Sequence, residues 1–204
     1  MRAIGITDFL ARNFNSYAFE GVFKDHLGEP EQNFKMIVYG SPGNGKTEYC
    51  IQLAKYLASF AKVYYNSFEQ GISKTLQDAI KRNDLTSVKG KIMFGNRERL
   101  DEMIKRLKSK GSPRIIIIDS RDYMNLTAEE FKLLIGTFPR KSFIVVCWEG
   151  GGKPKGEHAK AMEFMCDIKV RVVGFRAHPS SRFGGNKDYV IWDKKATNSQ
   201  SSLF

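Results

Sequence analysis

A glycine-rich segment contains the residues of this chain that are best suited to chemistry. The letters GSPGNGKT, from Gly40 to Thr47, satisfy the pattern GxxxxGK[ST]. Glycines let a backbone curl so that successive N–H groups point inward at phosphate oxygens. In the same pattern a lysine reaches the outer phosphates and a hydroxyl ligates Mg²⁺. The segment therefore predicts a phosphate-binding loop, and a chance glycine turn is the alternative interpretation.

The flanking residues favour the phosphate-binding interpretation. An apolar stretch at 34–39 is typical of a strand, and the stretch at 47–60 is typical of a helix, which is the context that the pattern requires. A helix that begins near Lys46 adds its positive end to the loop. We expect the phosphates to contact nine consecutive residues, namely Gly40, Ser41, Pro42, Gly43, Asn44, Gly45, Lys46, Thr47 and Glu48.

A carboxylate suited to a metal ion ends a very apolar stretch. Arg114 is followed by four isoleucines and then by Asp119, and such a short β-branched run predicts a buried central strand. Open α/β sheets bind ligands at the carboxyl ends of their strands. We therefore expect Asp119 and Thr47 to hold Mg²⁺, with Asp122 as a weaker substitute beyond the strand. A solvated strand-end aspartate is the alternative.

A second carboxylate, Glu69, lies just past the predicted strand at 62–66. In a parallel sheet this position is on the same edge as the phosphate-binding loop. Hydrolysis of a bound triphosphate needs a group that orients or deprotonates water, and Glu69 is the candidate for that base. An exposed glutamate before a helix is an equally good interpretation from position alone.

Strands and helices alternate through most of the chain. Strands are predicted at 34–39, 62–66, 91–94, 114–118 and 142–148, and helices at 47–60, 72–82, 97–108 and from a capping-box pattern at 127 onward. Such alternation indicates a three-layer α/β/α fold with a mainly parallel sheet, here a P-loop NTPase fold. Strands at 167–173 and 189–192, joined by a Gly/Ser/Arg-rich turn, predict a C-terminal antiparallel extension.

The predicted organisation is one core with two short flanking segments. Residues 1–33 are an N-terminal segment, 34–193 the ATPase-type core and 194–204 a polar, frayed tail. The first segment offers apolar side chains for packing, namely Phe9, Leu10, Phe14, Phe19 and Phe23.

Composition and charge narrow the class of partner. The 204 residues carry a formal net charge of +11, which favours a polyanion such as nucleic acid, nucleotides or acidic lipids over a merely soluble basic surface. Cys50, Cys147 and Cys166 lie in apolar contexts that favour buried thiols over disulfides or a metal site. No signal peptide or membrane span is evident, so we expect no membrane partner and a cytoplasmic location.

With these elements in view, the chain resembles the RecA-like ATPases of the ASCE class, and especially the RadA/Sms and DnaB-helicase branch. In that family the strand after the Walker A helix ends in a catalytic glutamate, and the phrase YYNSFEQ around Glu69 matches. Asp119 is followed by Ser120 rather than by glutamate, which separates this pattern from AAA+ proteins. The resemblance implies ATP and Mg²⁺ as ligands and hydrolysis that uses Lys46 and Glu69.

A later segment extends the resemblance to subunit contacts. The stretch 175–184 is similar to the Lys-Asn-Arg-Phe-Gly motif of the RadA branch, with Arg182 and Phe-Gly kept and Ser180 at the lysine position. The resemblance implies that Arg182, and less surely Arg176, reaches the nucleotide of a neighbouring subunit. It also implies a homo-oligomer, either a filament or a ring such as a hexamer. A solvated arginine in a β-turn is the alternative.

The resemblance also points to a polymer-binding surface. In RecA-like assemblies the loops after the fourth and fifth strands face DNA, and here these are 120–125 and 149–157. Arg121 and Tyr123 in the first loop offer a charge and a stacking face, while three glycines with Lys153 and Lys155 give the second mobility and phosphate contacts. A plain flexible lid is the alternative for the second loop.

The function predicted from these patterns is ATP hydrolysis that drives nucleic-acid remodelling in recombination, repair or replication. A P-loop kinase that acts on a small molecule is one alternative, since such kinases share the phosphate-binding loop. A nucleotide-gated regulatory scaffold with weak hydrolysis is another. It is favoured by Cys147-Trp148-Glu149 at the strand end where the family often has a Gln or His that senses the γ-phosphate.

Overall fold

The computed structural model describes residues 3–193. One sheet has the strand order β3-β2-β4-β5-β1-β7-β8-β9, and β6 pairs with the end of β5. The strands are β1 (Lys35–Gly40), β2 (Val63–Ser67), β3 (Ile92–Asn96), β4 (Ile115–Asp119), β5 (Ser142–Gly150), β6 (Lys153–Pro154), β7 (Ile168–Val173), β8 (Arg176–Ser181) and β9 (Tyr189–Val190). β1 to β5 run parallel, as the alternation of strand and helix patterns predicted. β7 also runs parallel to β1, although the sequence placed it in the antiparallel extension.

Helices connect the parallel strands and cover both faces of the sheet. They are α1 (Ile6–Leu10), α2 (Gly21–Leu27), α3 (Lys46–Leu57), α4 (Lys74–Arg82), α5 (Leu100–Lys108), α6 (Arg121–Met124), α7 (Ala128–Thr137) and α8 (Glu157–Met165), with a 3₁₀ turn at Leu85–Val88. The predicted capping box is present at the start of α7, where Thr127 and Glu130 exchange side-chain and backbone hydrogen bonds. No described helix is long and apolar enough to cross a membrane.

The core is divided by the sheet into two apolar layers. Side chains of α2, α3 and α4 pack on one face, and side chains of α5, α7 and α8 pack on the other. β4 serves both layers, because Ile115 and Ile117 face one and Ile116 and Ile118 face the other, all of them fully buried. This burial is the reason that the four-isoleucine run forms a central strand.

Only part of the N-terminal segment packs as expected. Phe19 and Phe23 are buried in the main core, beside side chains of α3. Phe9, Leu10 and Phe14 remain 53%, 77% and 59% exposed, so the prediction that they pack is wrong. The reason is that α1 buries none of its residues against the sheet.

The C-terminal extension is antiparallel, but its pairing differs from the prediction. β7 and β9 do not pair with each other, since β8 lies between them and pairs with both. The sequence of β8, Arg-Ala-His-Pro-Ser-Ser, has no apolar alternation and contains proline, so no strand pattern was visible there. The predicted frayed tail at 194–204 lies outside the described residues.

Candidate nucleotide-binding site

The phosphate-binding loop connects β1 to α3, at the edge of the sheet where the parallel strands end. Gly43 and Gly45 have φ values of +77° and +98°, a left-handed region that favours glycine. Gly40 has a different role, since a Cβ there would clash with the Val172 carbonyl oxygen of the adjacent strand β7. The glycines of the motif are therefore required for different structural reasons.

The predicted loop lysine lies across the curl of the loop. Lys46 Nζ donates hydrogen bonds to the carbonyl oxygens of Gly40, at 2.8 Å, and of Ser41, at 3.1 Å. Asn44 fixes the loop from the other side, because its Oδ1 accepts a hydrogen bond of 2.8 Å from the Gly174 N–H in the β7–β8 turn. The ammonium group is thus held where a phosphate bound by the loop would meet it.

Thr47 and Asp119 come together as predicted, although 72 residues separate them. Thr47 Oγ1 donates to Asp119 Oδ2 at 2.9 Å, and the Tyr65 hydroxyl donates to the same oxygen at 2.6 Å. Burial raises the pKa of Asp119, and the hydrogen bonds from Tyr65 and Thr47 oppose that shift. The charged carboxylate is therefore costly in this position unless something further compensates it.

The donor set at this point fits Mg²⁺. Asp119 Oδ1 is buried and has no hydrogen-bond partner among the described residues. A carboxylate oxygen and a hydroxyl oxygen side by side are the hard ligands that Mg²⁺ takes. Nowhere in residues 3–193 do three or more His, Cys, Asp or Glu side chains cluster as metal ligands. That agrees with an ion that takes one protein carboxylate and is otherwise held by phosphates and waters.

Glu69 lies in the same cleft as the loop. Its backbone N–H and that of Phe68 donate to the Asp119 carbonyl oxygen, which fastens the end of β2 to the end of β4. Burial raises the pKa of the Glu69 carboxyl, the neighbouring Asp119 raises it further, and Lys46 lowers it. A carboxyl with a raised pKa at the mouth of a phosphate site is chemically suited to accept a proton from water.

A cleft of about 350 Å³ joins these groups to further side chains, and sequence reasoning gave no role to four of them, namely Gln70, Arg82, Phe175 and Trp192. Besides the loop and Glu69 it is lined by Gln70, Arg82, Tyr123, Trp148, Phe175 and Trp192. The Phe175 and Trp192 rings meet edge to face, with centroids 6.4 Å apart, and the Arg82 guanidinium lies 5.0 Å from the Trp192 centroid. No motif marks these positions, because they converge only when β7, β9 and α4 pack around α3.

Glu48 is engaged by protein groups rather than directed at the loop. Its carboxylate accepts hydrogen bonds from Arg82 Nη2 at 2.6 Å and from Asn83 Nδ2 at 2.6 Å. A carboxylate repels phosphate, so any contribution of Glu48 to phosphate binding comes from its backbone in the first turn of α3. The ion pair itself joins α3 to α4 and places Arg82 against Trp192.

Asp122 positions the strand end where the family often has a γ-phosphate sensor. Its Oδ2 accepts a hydrogen bond of 2.7 Å from the Trp148 backbone N–H, and its Oδ1 pairs with Arg121 at 3.0 Å. Trp148 is opposite Gly40 in the β1–β5 pairing, and its ring meets Tyr123 edge to face. Asp122 is therefore a positioning residue for Trp148 in this structure.

The two candidate trans arginines lie at opposite edges of the sheet. Arg182 is exposed and pairs with Asp167 at 3.0 Å, near the start of β7 and away from the cleft of its own chain. Arg176 begins β8 next to Phe175, and its Nε is buried with no hydrogen-bond partner within residues 3–193. The structure therefore does not bring Arg182 to the other predicted site residues of the same chain.

The two loops expected to face a polymer both contain regular structure. β5 continues to Gly150 and turns back into β6, so the first half of the segment 149–157 is a short β-hairpin rather than an open loop. Glu149 holds this hairpin to β7 through Arg171, at 2.7 Å. Arg121 in the first loop is mostly buried and paired with Asp122, so the charge that the sequence offered there is neutralised within the chain.

Comparisons with known proteins agree with this fold and this loop. Residues 36–133, slightly less than half of the chain, match the family described as ATPase family associated with various cellular activities (AAA). The chain is also similar to a solved KaiC-like protein from the hyperthermophilic archaeon Pyrococcus horikoshii OT3. That match has a TM-score of 0.55 and 17% identity, and covers 78% of this chain and 85% of the other. No curated protein matches the sequence significantly.

These observations define the class of protein. The three-layer fold, with its mainly parallel sheet and antiparallel extension, is that of the P-loop NTPases, as predicted. The family match covers the phosphate-binding loop and Asp119, and it supports an ATPase domain of the P-loop class. Because the matched family model is an AAA one, it does not support the separation from AAA+ proteins that Ser120 suggested, and the RadA/Sms and DnaB branch stays a prediction.

Proposed function

We propose that this chain binds ATP with Mg²⁺ in the cleft and hydrolyses it, and that hydrolysis drives nucleic-acid remodelling in recombination, repair or replication. The observation that carries the proposal is the 2.9 Å hydrogen bond between Thr47 and Asp119, with Lys46 and Glu69 at the same cleft. These four side chains come from three separate strand ends, and a phosphate-binding site with a base is the chemistry that uses all of them.

Each residue has a definite task in this proposal. Backbone N–H groups of the loop bind the phosphates, and Lys46 exchanges its two carbonyl partners for phosphate oxygens. Thr47 and Asp119 would hold Mg²⁺, which neutralises the charge that develops on the transferred phosphoryl group. Glu69 accepts the proton of the attacking water, and the closely packed strand ends keep the carboxylate in place.

The test of hydrolysis is phosphate release by the wild type and by Glu69→Gln. Removal of a general base lowers the rate by roughly 10²- to 10⁴-fold, while ATP affinity should change little because the loop is intact. Glu20→Gln, an exposed neutralisation outside the cleft, is the matched control and should keep the full rate. Equal rates in wild type and Glu69→Gln would remove Glu69 from the mechanism.

Assembly is the second part of the proposal. Arg182 lies away from its own cleft, so it can act on a nucleotide only in a neighbouring copy. The rate per subunit should then rise with protein concentration and lose that rise in Arg182→Ala. A rate per subunit that stays flat across concentration argues for a monomeric enzyme, which is the behaviour of the alternative small-molecule kinase.

Coupling to nucleic acid is tested separately. Remodelling requires that the nucleotide states bind the polymer with different affinity, so single-stranded DNA should change the rate of phosphate release. ATPase activity that DNA leaves unchanged would keep the hydrolysis proposal and exclude the remodelling role.

A regulatory scaffold with weak hydrolysis is the alternative that one observation favours. Trp148 stands where a Gln or His side chain would sense the γ-phosphate, and indole has one N–H donor and no acceptor. In that case ATP should bind tightly, and turnover should be slow with or without DNA.

A further inference from the structure

Four neighbouring strands are each preceded by a basic residue at the same level of the sheet. Lys91 precedes β3, Lys62 precedes β2, Arg114 precedes β4 and Lys141 precedes β5. The strand registers pair Ile92 with Val63, Val63 with Ile115 and Ile115 with Ser142, so the four preceding residues are also in line. We name these four residues the basic row. Adjacent strands are about 4.8 Å apart, so the row spans roughly 15 Å.

Three charges of the basic row are exposed and unpaired, and the fourth, on Lys141, is half-buried and hydrogen-bonded to Ser112 and Pro113. Lys62, Lys91 and Arg114 are exposed, and none forms an ion pair with another described residue. The segments that lead into these four strands, 58–62, 89–91, 109–114 and 138–141, contain no Asp or Glu and add Lys89, Lys110 and Arg140. Burial lowers the pKa of Lys141, and the nearby Arg114 lowers it further.

Two grooves border the row. A groove of about 680 Å³ is lined by Arg114, Arg140 and Lys141 together with Phe138 and Pro139. A second, of about 200 Å³, shares Arg114 and Arg140 and is also lined by Phe14, whose side chain is largely exposed, and by one acidic residue, Glu31. Arginines in a concave surface beside an accessible aromatic ring suit a chain of phosphates that carries stackable bases.

The opposite edge of the sheet, where the parallel strands end, is acidic rather than basic. Four acidic residues, Glu69, Asp119, Asp122 and Glu149, lie at or just beyond the carboxyl ends of the strands, and Glu69 lines the nucleotide cleft. The basic residues of the two polymer loops are largely occupied there, since Arg121 pairs with Asp122 and Lys155 lies 5.7 Å from the Trp148 centroid. The fold thus separates an acidic catalytic edge from a basic edge.

We propose that the basic row and its two grooves bind the phosphate backbone of single-stranded nucleic acid, at the edge of the sheet opposite the ATP cleft. A linear file of cations within concave grooves fits a flexible strand of phosphates. A flat anionic membrane would instead require these cations on a protruding surface. The inference extends the proposed function by locating its polymer partner, and it concerns binding rather than hydrolysis.

The experiment measures binding of a fluorescein-labelled 30-nucleotide oligothymidine by anisotropy, without ATP and over a range of salt. The edge variant is Lys62→Gln/Lys91→Gln/Arg114→Gln. The matched control, Lys105→Gln/Lys132→Gln/Lys160→Gln, removes the same charge from exposed helical positions outside the row. Loss of three phosphate contacts should weaken binding about 10-fold or more and reduce the salt slope by about 2, while the control changes little.

One further variant and two further measurements distinguish the possible outcomes. The variant Lys62→Arg/Lys91→Arg/Arg114→Lys keeps the charge and should restore binding, and thermal unfolding followed by circular dichroism checks that each variant folds. ATP hydrolysis without DNA should be equal in the edge variant and the wild type, so failure of catalysis and failure of this surface are distinguishable. The inference would be overturned if the control triple weakened oligonucleotide binding as much as the edge triple, or more. It would also be overturned if the protein bound phosphatidylserine vesicles but not the oligonucleotide.

Discussion

The Thr47 hydroxyl donates a hydrogen bond of 2.9 Å to Asp119, which joins the first turn of α3 to the end of β4. Neither residue has a neighbour in sequence that brings it to the other, and the pairing depends on the parallel order of β1, β5 and β4. Because the second oxygen of Asp119 is buried without a protein partner among residues 3–193, the pair is an incomplete set of ligands.

For ATP turnover, the hydroxyl group of Thr47 should be more important than its methyl group. Thr47→Ala removes one oxygen from the metal site and the hydrogen bond to Asp119, so we expect at least about 100-fold lower turnover at saturating Mg²⁺. Thr47→Ser keeps the oxygen and should stay within a few-fold of the wild type. A titration of ATPase rate with Mg²⁺ measures both, and equal loss in the Ser variant would contradict the role of the hydroxyl.

Asp119→Asn should abolish turnover and yet stabilise the folded protein at neutral pH. Burial raises the pKa of Asp119 in the folded state above its unfolded value, so the folded state binds the proton more tightly. The cost of the buried charge is therefore fully present above the folded pKa and disappears as pH falls toward the unfolded pKa. The gain in unfolding free energy should be present at pH 8 and vanish in acid. Urea unfolding at several pH values measures it, and a gain that grows in acid would contradict this cause.

The pH dependence of catalysis should report Glu69. The base must be ionised to accept a proton, and its pKa is raised by burial and by Asp119. The acidic limb of kcat/KM against pH should thus lie at a higher pH than an ordinary glutamate would give. The residual activity of Glu69→Gln should lack this limb. If the variant keeps the same limb, another group controls the protonation step.

Two glycine substitutions should have opposite effects on stability. Gly40→Ala places a methyl group against the Val172 carbonyl oxygen and would push β1 from β7, so we expect a loss of more than about 2 kcal/mol and weak ATP binding. Gly136→Ala is the control, because it lies in α7 with open space around the new methyl group and should stabilise the fold by roughly 0.5–1 kcal/mol. Thermal unfolding of both variants compares them directly.

Intrinsic fluorescence should respond to ATP through two tryptophan side chains. The sequence contains two tryptophans, Trp148 and Trp192, and both line the cleft. Addition of MgATP should change the emission of the wild type, and the single variants Trp148→Phe and Trp192→Phe should each retain part of that change. Emission that is unaffected by MgATP at concentrations that support hydrolysis would place the nucleotide outside this cleft.

Much of the phosphate site could be predicted because its determinants are local. The spacing of Gly40, Gly45, Lys46 and Thr47 specifies a loop of a known kind, and the apolar run before Asp119 identifies a buried strand. Parallel strands end at one edge, so the approach of Asp119 and Glu69 to the loop followed from topology alone. The capping box at Thr127 and the burial of the three cysteines were local predictions of the same type, and the structure confirms them.

The features that could not be predicted depend on contacts between distant elements. Strand β8 has a polar sequence and is a strand only because β7 and β9 supply its hydrogen-bond partners. The order of the loop at 149–157 depends on Glu149 and Arg171, whose attraction requires β5 and β7 to lie on either side of β1. Exposure of Phe9 and Phe14 likewise reflects where α1 lies, which apolar composition does not specify.

By itself, the sequence determined the class of fold, the phosphate-binding loop and the two acidic groups that accompany it, because backbone curvature and strand burial are encoded in short runs of residues. Only the tertiary structure decided which side chains complete the cleft, namely Arg82, Phe175 and Trp192, and that basic residues from four separate segments form one row. The physical reason is that strand register aligns residues far apart in the chain, and no local pattern records that alignment.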